Sequence, residues 1–237
     1  MKSRLNSRRK VAEKTDEAKE EKSQVAKKEM PSLDAALPMM LDLPPLRMLS
    51  LYGDLDEKKA HDIVMELFAY HDMKVTVDQQ IKETSDKVKK QLLGNLGHKD
   101  PVKFLVSTFG GNAVDMFGIH DAMCMLQEAG VEIHTVGSGK VMSAGVLLLA
   151  SGAKGKRTIG KNCRVMVHPV VGGAHGPSHD IQNEVEEILQ TQKQYVECLA
   201  KETKLSISRL NKLISEKRNI YLSAEEAVKF GIADKIV

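Results

Sequence analysis

Ser143 stands just ahead of an unbroken apolar run, Val146 to Ala150, that Ser151-Gly152 closes. The pattern predicts a turn feeding a short buried helix with the serine at its mouth. Such a serine can cap the helix by accepting hydrogen bonds from the orphan N–H groups of the first turn. It can also be a nucleophile, because those N–H groups and the positive end of the helix dipole can hold a developing oxyanion. Acyl transfer further needs a base within hydrogen-bond reach and backbone donors facing the oxyanion. His168, at the end of a predicted strand, could be that base. Gly111, lacking a side chain, could bring its N–H to a substrate carbonyl, with the N–H of Ala144 as the second donor. Each residue has a plainer reading too: a cap at Ser143, a satisfied structural imidazole at His168, an ordinary turn at Gly110-Gly111.

The elements that must hold these residues follow from periodicity. Strands are predicted for Arg47 to Tyr52, Lys103 to Ser107, Val131 to Val136, Arg157 to Ile159 and Arg164 to Val167. A helix is predicted over 56–70, with Ala60, Ile63, Val64, Leu67 and Phe68 at helical spacing. A second over 75–100 sets Val77, Ile81, Val88 and Leu92 opposite a highly charged face, as a surface helix would. Over 114–129, Met116, Ile119, Met123 and Leu126 form a core face, the methionines acting as filler. Beyond the glycine-rich stretch 169–178, Asp180 is expected to cap a long helix to about Thr203. Its stripe of Ile181, Val185, Ile188, Leu189, Val196 and Leu199 is longer than one domain needs, which points to packing against another subunit. Helices over 206–217 and 223–230 close the chain, the last opened by the capping box Ser223 and Glu226. Alternating strands and helices predict an α/β fold with mostly parallel strands, whose functional groups gather where strand ends meet helix starts.

Composition narrows the classes. A chain of 237 residues that is 42% hydrophobic can bury a sizeable core, and with no Trp and 4% aromatics that core must be aliphatic. The net charge of +3 is concentrated in residues 1–30, with ten Lys/Arg against six Asp/Glu, which leaves −1 for the rest. A nucleic-acid surface is therefore not indicated. Residues 1–30 are too polar to offset their ordering entropy and are expected to be disordered, followed by a proline-rich apolar docking segment over 31–46. Cys124, Cys163 and Cys198 show no metal spacing and read as reduced thiols. No apolar run is long enough for a membrane span, and the charged start lacks the apolar middle of a signal peptide, so a cytoplasmic location is expected.

Several stretches carry a resemblance: Ser107 to Gly111 (STFGG), Met142 to Leu149 with Gly152 to Arg157 (MSAGVLLL, then GAKGKR), Arg164 to Gly176 (RVMVHPVVGGAHG) and Ser223 to Asp234 (SAEEAVKFGIAD). In these the chain, from about Arg47 to Val237, resembles the ClpP family of serine peptidases, the proteolytic subunits of ATP-dependent Clp proteases. The resemblance implies a ClpP/crotonase-like fold of repeated strand-strand-helix units with a protruding handle helix, here over 170–203. It places Ser143 on the nucleophile, His168 on the general base, and Gly111 and Ala144 on the oxyanion-hole donors. It also implies stacked heptameric rings, polypeptide substrates fed by an AAA+ unfoldase, and no metal or cofactor.

The departures are equally specific. The third triad position, an Asp in the family, falls on Asn219, which can accept a hydrogen bond from imidazole but carries no charge to stabilise an imidazolium. Glu216, three residues upstream, is the candidate substitute acid. Phe109 replaces the proline of the family's SPGG, 75–100 reads as a helical insertion, and the N-terminal segments replace short axial loops. The expected function is a self-compartmentalising serine endopeptidase slowed at Asn219. Phage head-maturation proteolysis is a variant of that reading, with a host-cytoplasmic site. The alternatives are a catalytically impaired structural subunit and a crotonase-type acyl-CoA enzyme.

Overall fold

The computed structural model describes residues 47–95, 101–215 and 219–237. The predictions for 1–46 and for Glu216 lie outside them. Strands β1 (Met48–Tyr52), β2 (Val102–Thr108), β3 (Ile133–Met142), β4 (Thr158–Ile159), β5 (Arg164–Val167), β6 (Ile220–Leu222) and β7 (Lys235–Ile236) form one sheet. All pairings are parallel except β5 with β6. Helices α1 (Glu57–Glu83), α2 (Lys87–Asn95), α3 (Ala113–Glu128), α4 (Ala144–Ala150), α5 (Ser178–Glu202), α6 (Ile207–Ser215) and α7 (Ala224–Lys229) complete the predicted α/β arrangement.

The helix expected over 75–100 is instead divided between the second half of α1, which runs unbroken through 71–74 and ends at Glu83, and the separate helix α2. His71-Asp72-Met73-Lys74 contains neither Gly nor Pro, so nothing in the backbone stops propagation there. Asp56 caps α1, accepting from the Lys59 N–H at 2.9 Å. The long helix α5 starts at Ser178, so Asp180 lies inside its first turn rather than at the cap. There its carboxylate still favours the positive end of the helix.

β3 decides where Ser143 ends up. The first part of this strand pairs with β4 at Val136 and Gly137, the last part with β5 at Lys140 to Met142. Between them the β2 register slips, Val106 facing Gly137 but Thr108 facing Val141. Gly139, at φ +65°, accommodates this bulge, and the bend carries the end of β3 from one neighbour to the other. The prediction ended this strand at Val136; the bulge hides the rest from a period-two pattern.

Every residue of α4 is buried. Gly145 lets it press on β2, where a Cβ would come within 2.4 Å of Thr108 Cγ2. The buried carbonyl end of a helix needs partners, and side chains supply them. Thr135 Oγ1 donates to Leu149 O at 2.7 Å, Ser151 Oγ to Leu147 O at 2.7 Å and Arg157 Nη1 to Ala150 O at 3.0 Å. Arg157 is itself held by Asp234, which accepts from Nε at 2.9 Å and Nη2 at 2.6 Å. The arginine of the GAKGKR stretch thus closes the helix behind the serine.

Met116, Ile119, Met123 and Leu126 of α3 all point into the core, as their spacing predicts. The three cysteines are free thiols, and burial lifts that of Cys163 to about 11. Among the described residues no helix is long and apolar enough to cross a membrane.

Candidate active site

Among the described residues Ser143 is the one non-glycine with positive φ, at φ 53° and ψ −121°. Its side chain makes no capping hydrogen bond, so the cap reading of this serine does not hold. A backbone strained by roughly 1–3 kcal/mol persists only where its surroundings over-determine it. Here Leu147, Leu148 and Leu149 are fully buried just behind, each worth about 1.5–3 kcal/mol. Burial therefore outweighs the strain and holds the turn. The Ser143 N–H donates to Met166 O at 2.8 Å, tying the turn to β5. The Ser143 carbonyl accepts from the Val146 N–H at 3.0 Å and from the Tyr195 hydroxyl of α5 at 3.0 Å.

Glycine at 110 and 111 is required by contact. A Cβ on Gly110 would lie 2.5 Å from Ser143 Cβ, and one on Gly111 would lie 1.9 Å from Leu55 O. Gly111 pairs with Leu55 in an isolated parallel bridge. The bridge bonds run from Leu55 N to Gly110 O at 2.7 Å and from Asn112 N to Leu55 O at 3.3 Å. That pattern turns the N–H of Gly111 itself away from Leu55. Buried Thr108 braces the turn, its Oγ1 accepting from the Gly110 N–H at 2.9 Å. The N–H of Ala144, first residue of α4, has no acceptor within its own helix.

His168 follows β5, and the loop after it lies back on α5. The Val170 N–H donates to Gln192 Oε1 at 2.8 Å, and Gly172 leaves room for Ile188, whose Cδ1 would be 2.6 Å from a Cβ there. Ser143, Ala144, Gly111 and His168 all line one cavity of about 420 Å³. Its walls are chiefly apolar, from Val114, Met116, Val170 and Ile188, with Glu187 and Thr191 as polar positions. Phe109 stands 60% exposed on this wall, with Lys140 Nζ 4.5 Å above its ring and 5.3 Å from the ring of Tyr52.

Asn219 does not line the cavity and is exposed. It directly precedes β6, whose Ile220 pairs with Val167, the residue before His168. Among the described residues no hydrogen bond joins His168 to Ser143 Oγ or to Asn219. Tyr195 and Thr108 were not picked out from the sequence as site residues. The signal for Tyr195 was available, since it lies seven residues after Ile188 and so on the same helical face. In this arrangement a hydroxyl, an imidazole and two free backbone donors surround one pocket, the parts that acyl transfer needs.

The Clp protease family model matches residues 55–237. The chain is 33% identical over 163 residues to the ATP-dependent Clp protease proteolytic subunit 1 of Prochlorococcus marinus subsp. pastoris (strain CCMP1986 / NIES-2087 / MED4), covering 68% of this chain and 80% of that protein. It is 34% identical, with the same coverage, to the protein of that name from Prochlorococcus marinus (strain MIT 9312).

Proposed function

The chain belongs to the Clp protease family and is a serine-type peptidase, and from that premise we propose that Ser143 cleaves unfolded polypeptides inside a chamber built from copies of this chain. The observation that carries this reading is the strained Ser143 turn opening on a cavity shared with His168, Gly111 and Ala144.

In this reading His168 takes the proton of Ser143 Oγ as the oxygen attacks the scissile carbonyl. The N–H groups of Gly111 and Ala144 receive the oxyanion. As the tetrahedral species collapses, the C–N bond breaks, the imidazolium returns its proton to the leaving amine, and an acyl-serine remains. Water, deprotonated by the same imidazole, then releases the acid. The apolar cavity accepts an apolar substrate side chain beside the serine. Asn219 orients the imidazole without a charge, and in the Ser-His-Asp template the corresponding Asp to Asn change costs roughly 10⁴ in turnover. Proteolysis here is accordingly slow.

Assembly rests on α5, whose outer half leaves Ile181, Val185 and Leu189 exposed at four-residue spacing. That stripe meets its equivalent in another copy, consistent with stacked heptameric rings. The relatives' ATP-dependent naming supports an AAA+ unfoldase as partner. A second reading, a structural subunit of low activity, is favoured by Asn219 alone; phage head maturation is a narrower role for the first. Labelling by a fluorophosphonate, abolished in Ser143→Ala, is the expected result for the purified chain. Absence of labelling in well-folded oligomer would instead identify the structural subunit.

A further inference from the structure

The site leaves one buried polar side chain without a role, the hydroxyl of Tyr195. Only 4% of this residue is exposed, it reaches the cavity from α5, and its hydroxyl donates to the Ser143 carbonyl at 3.0 Å. That carbonyl belongs to the peptide group that joins Ser143 to Ala144, and the N–H of the same group is the second proposed oxyanion donor.

We infer that Tyr195 is a positioning residue for catalysis, holding and polarising the Ser143–Ala144 peptide so that its N–H is aimed at the oxyanion. The inference rests on the peptidase reading above. Two physical steps support it. A trans peptide is planar with C=O and N–H pointing in opposite directions, so pinning the oxygen on one side fixes where the N–H points on the other. A donor on the carbonyl also draws electron density toward the oxygen and strengthens the N–H as a donor, the ordinary cooperativity of hydrogen-bond chains.

Position matters here because the backbone at Ser143 is strained. The peptide plane has no regular helical or strand ladder on its serine side to hold it. It has the Val146 N–H, which comes from its own helix, and the Tyr195 hydroxyl, which comes from a separate element 52 residues away. Only the second ties the turn to the rest of the molecule through this oxygen. Burial pushes the Tyr195 phenol well above its ordinary range, so the group remains a donor throughout the working pH range of a peptidase.

The test uses the full chain in three forms: wild type, Ser143→Ala and Tyr195→Phe. Each is followed by the second-order rate of fluorophosphonate labelling and by kcat and KM on a fluorogenic peptide with an apolar residue before the scissile bond. Tyr195→Phe keeps the ring and loses only the donor. The expected result is a drop of roughly tenfold in kcat and in labelling rate, the scale of one lost hydrogen bond, with KM unchanged. A fourth form, with 3-fluorotyrosine placed at position 195 by codon suppression, keeps both fold and hydroxyl. Its more acidic phenol should bring kcat to or above that of wild type. Labelling of Tyr195→Phe at the wild-type rate, or a fall in kcat with the fluorinated residue, overturns the inference while leaving the peptidase reading intact. If wild type itself is not labelled, or Ser143→Ala is labelled equally, the peptidase reading fails and this inference falls with it. A Tyr195→Phe chain that does not fold leaves the fluorinated form to decide.

Discussion

Val167 and Ile220 form the last pair of the antiparallel β5–β6 ladder, and His168 and Asn219 are the next residues along the two strands. The role proposed for Asn219 is to orient the imidazole from that neighbouring strand.

Replacing Asn219 by Asp is expected to raise kcat, by up to roughly 10⁴ if the loss in the Ser-His-Asp template is fully recovered. A carboxylate there accepts from the imidazole Nδ1–H, fixes the tautomer and stabilises the imidazolium. Steady-state kinetics on a peptide substrate checks this, and unchanged or lower activity in Asn219→Asp would refute the impaired triad.

Gly110→Ala should abolish labelling of Ser143, because the new Cβ would overlap Ser143 Cβ at 2.5 Å. The backbone must shift, and misplacing a nucleophile by about an ångström costs of the order of 10² in rate. Gly118→Ala is the contrasting change. It lies inside α3 with nothing within 4 Å of the new Cβ, so it should leave labelling intact and stabilise the helix by about 0.5–1 kcal/mol. Labelling rates and denaturant melts of the two variants separate these outcomes.

The Arg157–Asp234 pair makes stability sensitive to acid. Hydrogen bonds from the Arg157 side chain, with further ones from the backbone N–H groups of Arg157 and Gly155, hold the Asp234 carboxyl at about 2 against an ordinary 3.8. The folded value is the lower one, so the contribution is fully present above about pH 4 and is lost as pH falls toward 2. Asp234→Asn should destabilise the fold by about 2–3 kcal/mol at neutral pH and by much less near pH 2. Urea titrations of both chains across this range provide the measurement. A difference that does not shrink on acidification would contradict the assignment.

Leu189→Arg should break the proposed α5-mediated assembly while sparing the fold. Leu189 is 62% exposed on α5, so the substitution disturbs little within the chain. If the stripe packs between copies as proposed, a charge within it must be desolvated without a partner. Sedimentation velocity should show a particle about half the wild-type size, with an unchanged circular dichroism spectrum. A variant that sediments like wild type would remove α5 from the interface.

What could be read from the sequence was local. The core face of α3 and the capping box of Ser223 and Glu226 appear in the structure as their spacing predicts. So does the short buried helix after Ser143. In each, residues a few positions apart already determine which face is buried or which N–H is satisfied. β6 and β7, three and two residues long, were not predicted, since so few residues carry no period; they exist only because β5 and β4 offer a ladder.

The choice between cap and nucleophile at Ser143 could not be made locally either, because both use the same residue before the same apolar run. Tertiary structure removes the cap. The bulge in β3, the close approach of Gly110 and the hydroxyl of Tyr195 together impose a backbone conformation that excludes the cap and presents the serine to the cavity. Those partners are distant in sequence, and only the packed sheet and α5 bring them to one turn.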